Sequence, residues 1–288
     1  MLDPETERQA LMDFGSFYQF RAGRLEPVAE NAEVALAVAD SWLVDGGRVR
    51  SLQAHYERFV DGVARLDYQQ NPSNVRHGEI ADFFEAVIAL IPEEGRWFPR
   101  VEFHGGQAQP LFVKLREAPA QLGEARLWSL DQADPRDLPT VKGPDLSLCM
   151  QLRRKAQVHG ADEAVLLDDT GRVIEGALSS LVWWRDGALE APDLHTTWLD
   201  SITRHEVFAI AAQLGLETRE VAATEDQLEG CEVWILSSLQ GVRQASSWLG
   251  SKGTEIAIAP VSAESTKRVE AFQRRLRMLS TAPSLNRD

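Results

Sequence analysis

The chain is 288 residues long, 44% apolar and 26% charged, with 30 Lys and Arg against 44 Asp and Glu, a net charge of −14. So acidic a surface excludes sequence-independent nucleic-acid binding, which needs a basic footprint, and no uninterrupted apolar run reaches the ~18 residues of a membrane span. Met1-Leu2-Asp3-Pro4-Glu5 has neither the basic nor the apolar part of a signal peptide, so the expectation is a cytoplasmic globular protein of about two domains.

The first residues, to about Phe14, are polar and helix-compatible. Ala32 to Val44 reads as a strand entering a turn at Asp45-Gly46-Gly47, with Arg48-Val49-Arg50 starting the return. Ser51 then caps a helix in which Leu52, Tyr56, Phe59, Val63 and Leu66 recur at spacings of three and four. A second helix runs from about Gly78 to Leu90, ended by Pro92, with Ile80, Phe83, Phe84, Val87 and Ile88 inward. Strands follow at about Trp97–His104 and Pro110–Arg116.

Polar, proline-bearing Gln132 to Pro139 reads as a linker. It divides the chain into a small domain over 1–131, a connection over 132–141 and a larger domain over 142–288. The larger part opens with a helix at about Leu146–His159 and becomes rich in short strands. Hairpins turn at Asp169-Thr170-Gly171 and at Arg185-Asp186-Gly187. Thr203 to Leu214 is a helix with Val207, Ile210, Ala211 and Leu214 on one face. Two strands, Glu232–Ser237 and Gly241–Ser246, precede a last helix at about Glu264–Leu279, with Val269, Phe272, Leu276 and Leu279 inward. The fold class is α+β.

Two cysteines, Cys149 and Cys231, are too few for a disulfide framework or a four-sulfur zinc site. Six scattered histidines, with His195 and His205 ten apart, lack the close helical spacing of a metalloprotease. No metal is expected.

Chemistry concentrates at a few positions. Lys142 leaves the linker between Val141 and Gly143-Pro144. A lysine there is either solvated or partly buried, and burial would lower its pKa and make a nucleophilic amine. Asp200-Ser201-Ile202-Thr203-Arg204 opens an amphipathic helix. Its free N–H groups either serve an ordinary cap or favour an anion such as phosphate. Arg58, next to Phe59, is either a surface side chain or a planar fork for a phosphate. Glu175 closes Val173-Ile174-Glu175. It either faces solvent or is buried, and a buried carboxylate needs a cationic or N–H partner. Phosphate-binding groups, an amine and a carboxylate in this order suit pyridoxal phosphate, whose aldehyde forms a Schiff base with lysine and whose ring nitrogen is held protonated by a carboxylate.

These blocks resemble the class IV (fold type IV) pyridoxal-phosphate aminotransferases, which include branched-chain and D-amino-acid aminotransferases and aminodeoxychorismate lyases. The resemblance covers about residues 34–245. His55-Tyr56-Glu57-Arg58 is similar to the family's His-x-x-Arg helix, which implies that Arg58 binds phosphate. Asp134-Pro135-Arg136-x-x-Pro139-x-x-Lys142 resembles the run into the Schiff-base lysine, and Gly171-x-Val173-x-Glu175 implies that Glu175 partners the pyridine nitrogen. Ile202-Thr203-Arg204 matches the phosphate-cup turn, which implies that Ile202 and Thr203, with Ser201 just before them, bind the cofactor, and Ser238 follows a strand that resembles the one supplying another phosphate contact. Arg100 resembles an arginine that some members use for substrate carboxylates.

The chain departs from the family's pattern at several points. Ser147 stands where a tyrosine often follows the lysine, Ser201 where a glycine precedes the Ile-Thr-Arg turn, Ser180 where an asparagine is common, and Leu43 where several members place an arginine. Phe103-His104-Gly105-Gly106 departs from the usual motif after Arg100.

The resemblance implies two domains, a small N-terminal α/β domain and a larger strand-rich pseudo-barrel domain with helices, assembled as a cytoplasmic homodimer. Its expected activity is transamination between an amino acid and a 2-oxo acid. The alternatives are an aminodeoxychorismate-type lyase using the same cofactor, and a cofactor-binding protein with weak catalysis.

Overall fold

The computed structural model describes residues 17–29, 35–70, 77–105, 110–193 and 198–286. The N-terminal helical stretch expected to about Phe14, the start of the Ala32 strand, Gly106 and His195 lie outside the described residues. The described chain forms two compact units. One comprises Met1–Pro119, Val141–Pro144 and Ser280–Asp288, and the other Ala120–Thr140 and Asp145–Leu279.

The first unit contains β1 (Phe17–Arg21), β2 (Arg24–Pro27), β3 (Leu36–Ser41), β4 (Val44–Asp45), β5 (Arg48–Val49), α1 (Leu52–Gln70), α2 (His77–Leu90), β6 (Arg96–Trp97), β7 (Arg100–His104) and β8 (Leu111–Lys114). Five strands form an antiparallel sheet in the order β2-β1-β8-β7-β3, and three form a second in the order β5-β4-β6. The strand expected from Ala32 to Val44 is interrupted at Trp42-Leu43, and its two pieces join different sheets. The β4–β5 turn has positive φ at both Gly46 and Gly47, as a two-residue hairpin requires. The apolar stripe of α1 delivers Leu52, Phe59 and Val63 to a core that holds Phe83, Phe84 and Val87 of α2 and Val38, Val101 and Val113 of the sheet. β1 and β2 carry no clean period-two pattern, and they escaped the sequence reading for that reason.

The second unit contains β9 (Ala125–Ser129), α3 (Leu146–Val158), β10 (Glu163–Leu167), β11 (Val173–Gly176), β12 (Ser180–Arg185), β13 (Ala188–Ala191), α4 (Ile202–Gln213), β14 (Thr218–Glu220), β15 (Glu232–Ser237), β16 (Gly241–Leu249) and α5 (Ala263–Met278). Its eight strands run β11-β10-β9-β16-β15-β12-β13-β14. Pairing is parallel at β9–β10, β9–β16 and β13–β14 and antiparallel elsewhere. Nearly every position of β10–β13 and β15 is buried. Sheets covered on both faces read as continuous apolar runs, and these do. One face packs Val207 and Ile210 of α4 and Phe272 and Leu276 of α5 against Trp234 and Val242. Leu279, expected inward, is 38% exposed because α5 ends one residue earlier.

The unit boundary falls at 119/120, ahead of the 131/132 read from the sequence. The cause is β9, which pairs with β10 and β16 and so carries residues 120–131 into the second unit. Residues 130–136 continue along β10, where Leu130 N–H donates to Val165 O at 3.0 Å and Asp134 N–H to Leu167 O at 2.8 Å.

Candidate functional site

In the first unit, β3 organises two of the sequence-derived positions through consecutive residues. Ala39 donates its N–H to the carbonyl of Lys142 at 2.7 Å. Asp40, wholly buried, holds Arg58 and His55, which lie one turn apart on α1. Arg58 donates from Nε to Asp40 Oδ2 and from Nη2 to Oδ1, both at 2.8 Å, while His55 Nδ1 lies 2.8 Å from Oδ1. Ser41 N–H adds a further bond to Oδ1 at 2.7 Å. Burial alone would raise the Asp40 pKa, but Arg58 and His55 outweigh it and hold the carboxyl well below the usual range. The Nε–Nη2 edge of Arg58 is thereby fixed.

Lys142 is half-buried between buried Val141 and Gly143. Gly143 has φ of 144°, and a Cβ there would fall 2.6 Å from Val38 Cα. Only glycine lets this segment lie so close against β3.

Arg100 lies on β7. Its Nε and Nη2 both approach Glu102 Oε1 at 2.5 Å, and His104 Nε2 holds Oε2 at 2.7 Å. Burial raises Glu102, and the His104 and Arg100 contacts outweigh it, lowering its pKa.

In the second unit, Glu175 is buried on β11 opposite Leu166 of β10. Its Oε1 accepts from Arg136 Nη1 at 2.7 Å and from Leu199 N–H at 2.9 Å. Among the described residues, Oε2 accepts no hydrogen bond. Arg136 is shaped by its own turn. Asp134 Oδ1 accepts from Arg136 N–H at 3.1 Å across Pro135, an Asx turn. The guanidinium folds back on the same carboxylate, with Nε at 3.0 Å from both oxygens and Nη2 at 2.7 Å from Oδ2. Desolvation would lower Arg136, but its two carboxylates raise it further above its already high pKa. Desolvation raises Glu175, with Arg136 and Leu199 N–H opposing.

Three residues beyond Leu199 begins α4. Ser201 is its N-cap, accepting from Arg204 N–H at 3.3 Å. The N–H groups of Ile202 and Thr203 precede the first intrahelical acceptor and sit at the positive end of the helix dipole. Arg204 is buried, its guanidinium 3.8 Å from the Trp198 ring centre and its Nη1 3.2 Å from Glu220 Oε1. Ser238 is half-buried in the turn between β15 and β16.

The structure therefore gathers Arg58 and Lys142 on β3, and Glu175 with Ser201, Ile202 and Thr203 around Leu199. Sequence reasoning gave no role to Asp40, Asp134 or Arg136. The last two stood inside the supposed linker, where an Asp-Pro-Arg run reads as polarity. Their only signal was an arginine two residues after an aspartate, just ahead of Lys142. Among the described residues, no group of three His, Cys, Asp or Glu could hold a metal ion, and no helix is long and apolar enough to cross a membrane.

A family profile described as amino-transferase class IV matches residues 37–248. The chain belongs to the class IV aminotransferases. It is similar to the branched-chain-amino-acid aminotransferase of Escherichia coli K12, 29% identical over 157 residues that cover 54% of this chain and 50% of that protein. The match thus spans half the length of that curated relative. The chain is 24% identical over 257 residues to a bifunctional aminodeoxychorismate lyase / D-amino acid transaminase of Mycobacterium tuberculosis, covering 79% of this chain and 86% of that one. Its fold is that of a fold IV-transaminase from Curtobacterium pusillum, with a TM-score of 0.68 at 19% identity over 90% of this chain and 98% of that chain. Arg58, Lys142 and Glu175 of this class IV chain lie inside the matched span. Ser147, in place of the frequent tyrosine, is exposed in the first turn of α3.

Proposed function

We propose that this chain is a pyridoxal-phosphate-dependent aminotransferase that moves an amino group between an amino acid and a 2-oxo acid in ping-pong half-reactions. The observation that carries the reading is Glu175, a buried carboxylate with Oε1 pinned by Arg136 and Leu199 N–H and Oε2 left without a protein donor among the described residues. Burial pushes its pKa up, so a protonated ring nitrogen is the partner it needs. The donor set fits the cofactor, which when bound supplies the electron sink for negative charge at the substrate α-carbon.

Lys142 Nζ is the amine that would hold the cofactor, and once released it is the base that takes and returns the proton at the substrate α-carbon. Glu175 Oε2 would hold a proton on the ring nitrogen of the bound cofactor. Arg58, its orientation set by Asp40, is a candidate phosphate ligand in the first unit, and in the second the N–H groups of Ile202 and Thr203 and the hydroxyls of Ser201, Thr203 and Ser238 would serve the same group. Arg100 is the proposed contact for a substrate carboxylate. Its charge is already shared with Glu102, so that contact is weaker than one to an unpaired guanidinium. The reading extends to a cytoplasmic homodimer, as the family resemblance implies. A lyase reading is favoured by the bifunctional relative, whose match extends over 79% of this chain.

The test is the visible absorption spectrum of the purified protein, repeated after borohydride reduction and peptide mapping. The expected result is a cofactor band that becomes a fixed adduct on Lys142, converted to the amine form by an amino donor and restored by a 2-oxo acid. Pyruvate release from aminodeoxychorismate without a 2-oxo acid acceptor would assign the lyase. An adduct with no turnover on any amine would leave a weakly catalytic binding protein. A colourless chain that takes up no pyridoxal phosphate would refute the reading.

A further inference from the structure

The Asp134–Arg136–Glu175 row is the most heavily invested polar feature of the second unit. The three side chains are 10%, 5% and 7% exposed. Every nitrogen of the Arg136 guanidinium is engaged, Nε and Nη2 by Asp134 and Nη1 by Glu175. A guanidinium fixed at three corners cannot swing, so Nη1 sets where Glu175 Oε1 sits and hence which way Oε2 points. The row carries two carboxylates and one cation, leaving one net negative charge in a poorly hydrated place. A buried charge of that kind needs a partner. Glu175 also feels the Arg204 cation from α4, the Leu199 N–H from the segment ahead of α4, and from its own side the opposing charge of Asp134.

We propose that Arg136 is a positioning residue for Glu175, fixed by Asp134 so that it aims the carboxylate toward the cofactor ring nitrogen. This rests on the cofactor reading given above. Arg136 touches neither cofactor nor substrate and acts through Glu175. Without it, burial would favour the neutral carboxylic acid, which cannot hold a ring proton by charge. Asp134 has a double effect. Its grip orients Arg136, and its negative charge tempers the pull of Arg136 on Glu175.

The experiment compares the full-length parent with Arg136→Met, Arg136→Lys, Asp134→Asn, Glu175→Gln and the Arg136→Met/Glu175→Gln double variant. Three quantities are read. They are the dissociation constant for pyridoxal phosphate, the pH midpoint of the visible cofactor band, and the carboxyl ¹³C titration of Glu175 in the cofactor-free protein. Arg136→Met is expected to weaken cofactor binding at least 10-fold, shift the band midpoint and raise the Glu175 titration. Arg136→Lys is expected to recover part of each, because charge is kept and the fork lost. In the Glu175→Gln background, Arg136→Met is expected to change cofactor binding by less than 2-fold. Equal losses in the two backgrounds would reduce Arg136 to a structural role and overturn the proposal, as would an unchanged dissociation constant and band midpoint in Arg136→Met. If Arg136→Met does not fold, Arg136→Lys and Asp134→Asn carry the same comparison. A parent chain that binds no pyridoxal phosphate overturns the cofactor reading and this one together. A parent that binds it while remaining indifferent to Arg136 overturns this one alone.

Discussion

Replacing Gly143 by alanine tests how the Lys142 segment is held, independently of any cofactor. The φ of 144° lies where an L side chain is strained, which costs about 1–3 kcal/mol. The new Cβ would stand 2.6 Å from Val38 Cα and 2.8 Å from both Ala37 O and Ala39 N. These are backbone atoms of β3, so no side-chain rotation relieves them, and overpacking of this sort adds about 1–3 kcal/mol. Together the penalty is roughly 2–6 kcal/mol, a large part of the ~5–15 kcal/mol by which typical domains are stable. The alternative is for residues 141–144 to lift away, breaking the 2.7 Å bond from Ala39 N–H to Lys142 O. Urea unfolding reads the first outcome, and hydrogen exchange at the Ala39 amide reads the second. Gly123→Ala is the control, since nothing lies within 4 Å of its Cβ and its φ is ordinary; it should shift stability by no more than ~0.5 kcal/mol. A Gly143→Ala protein matching that control, with Ala39 protection unchanged, would refute the close packing of the lysine segment on β3.

Three further outcomes are expected. Asp40→Asn should lose about 1–3 kcal/mol at pH 7, because it removes the buried carboxylate that half-buried Arg58 and buried His55 both contact. The parent's Asp40 titrates lower folded than unfolded, so its contribution is present above pH ~4 and lost as pH falls through the folded value. Acid-denaturation curves should therefore be shallower in the variant, and equal slopes would contradict the assignment. Glu163 behaves oppositely. Burial raises its pKa despite bonds from Ser179 Oγ and Ala164 N–H, so the parent loses stability as pH climbs through the folded value. Glu163→Gln should be at least as stable as the parent at pH 8 and gain less at pH 4.5; a loss above ~1 kcal/mol at pH 8 would count against this. Ser129→Ala should cost about 1–3 kcal/mol in chemical denaturation, because it strands the buried Trp248 indole N–H that Ser129 Oγ accepts at 2.8 Å.

Much of the site could be read from sequence because its parts are local. Arg58 follows His55 by one turn of a strongly patterned helix, Glu175 closes a hairpin, and Ser201 caps α4 through its own neighbour Arg204. What stayed hidden depends on register. Asp40 meets Arg58 eighteen residues away, and Arg136 meets Glu175 thirty-nine residues away. A window of helical or strand periodicity contains no signal for either pair. The supposed linker failed on the same ground. Its prolines and charges describe a surface loop equally well as an Asx turn whose arginine is buried by a distant strand. β9 was missed because Gly123 and Glu124 lead into a run too short to show alternation, although its neighbours in the sheet bury it.

The return of residues 280–286 to the first unit has a temporal meaning. Val49 and Thr281 exchange backbone bonds at 2.9 Å in both directions, and Asn286 N–H reaches Gln53 Oε1 at 3.0 Å. Arg48 donates to the carbonyl of Ser280 across a separation of 232 residues. At roughly 5–20 residues per second of synthesis, the two sides of that bridge leave the ribosome about 10–50 s apart. The second unit, whose last strand ends at Leu249, whose last helix ends at Met278 and whose last residue is Leu279, has every strand available before then. The unit translated first is therefore the one finished last, and during that interval the outer edge of β5 is exposed to chaperones, proteases and other nascent chains.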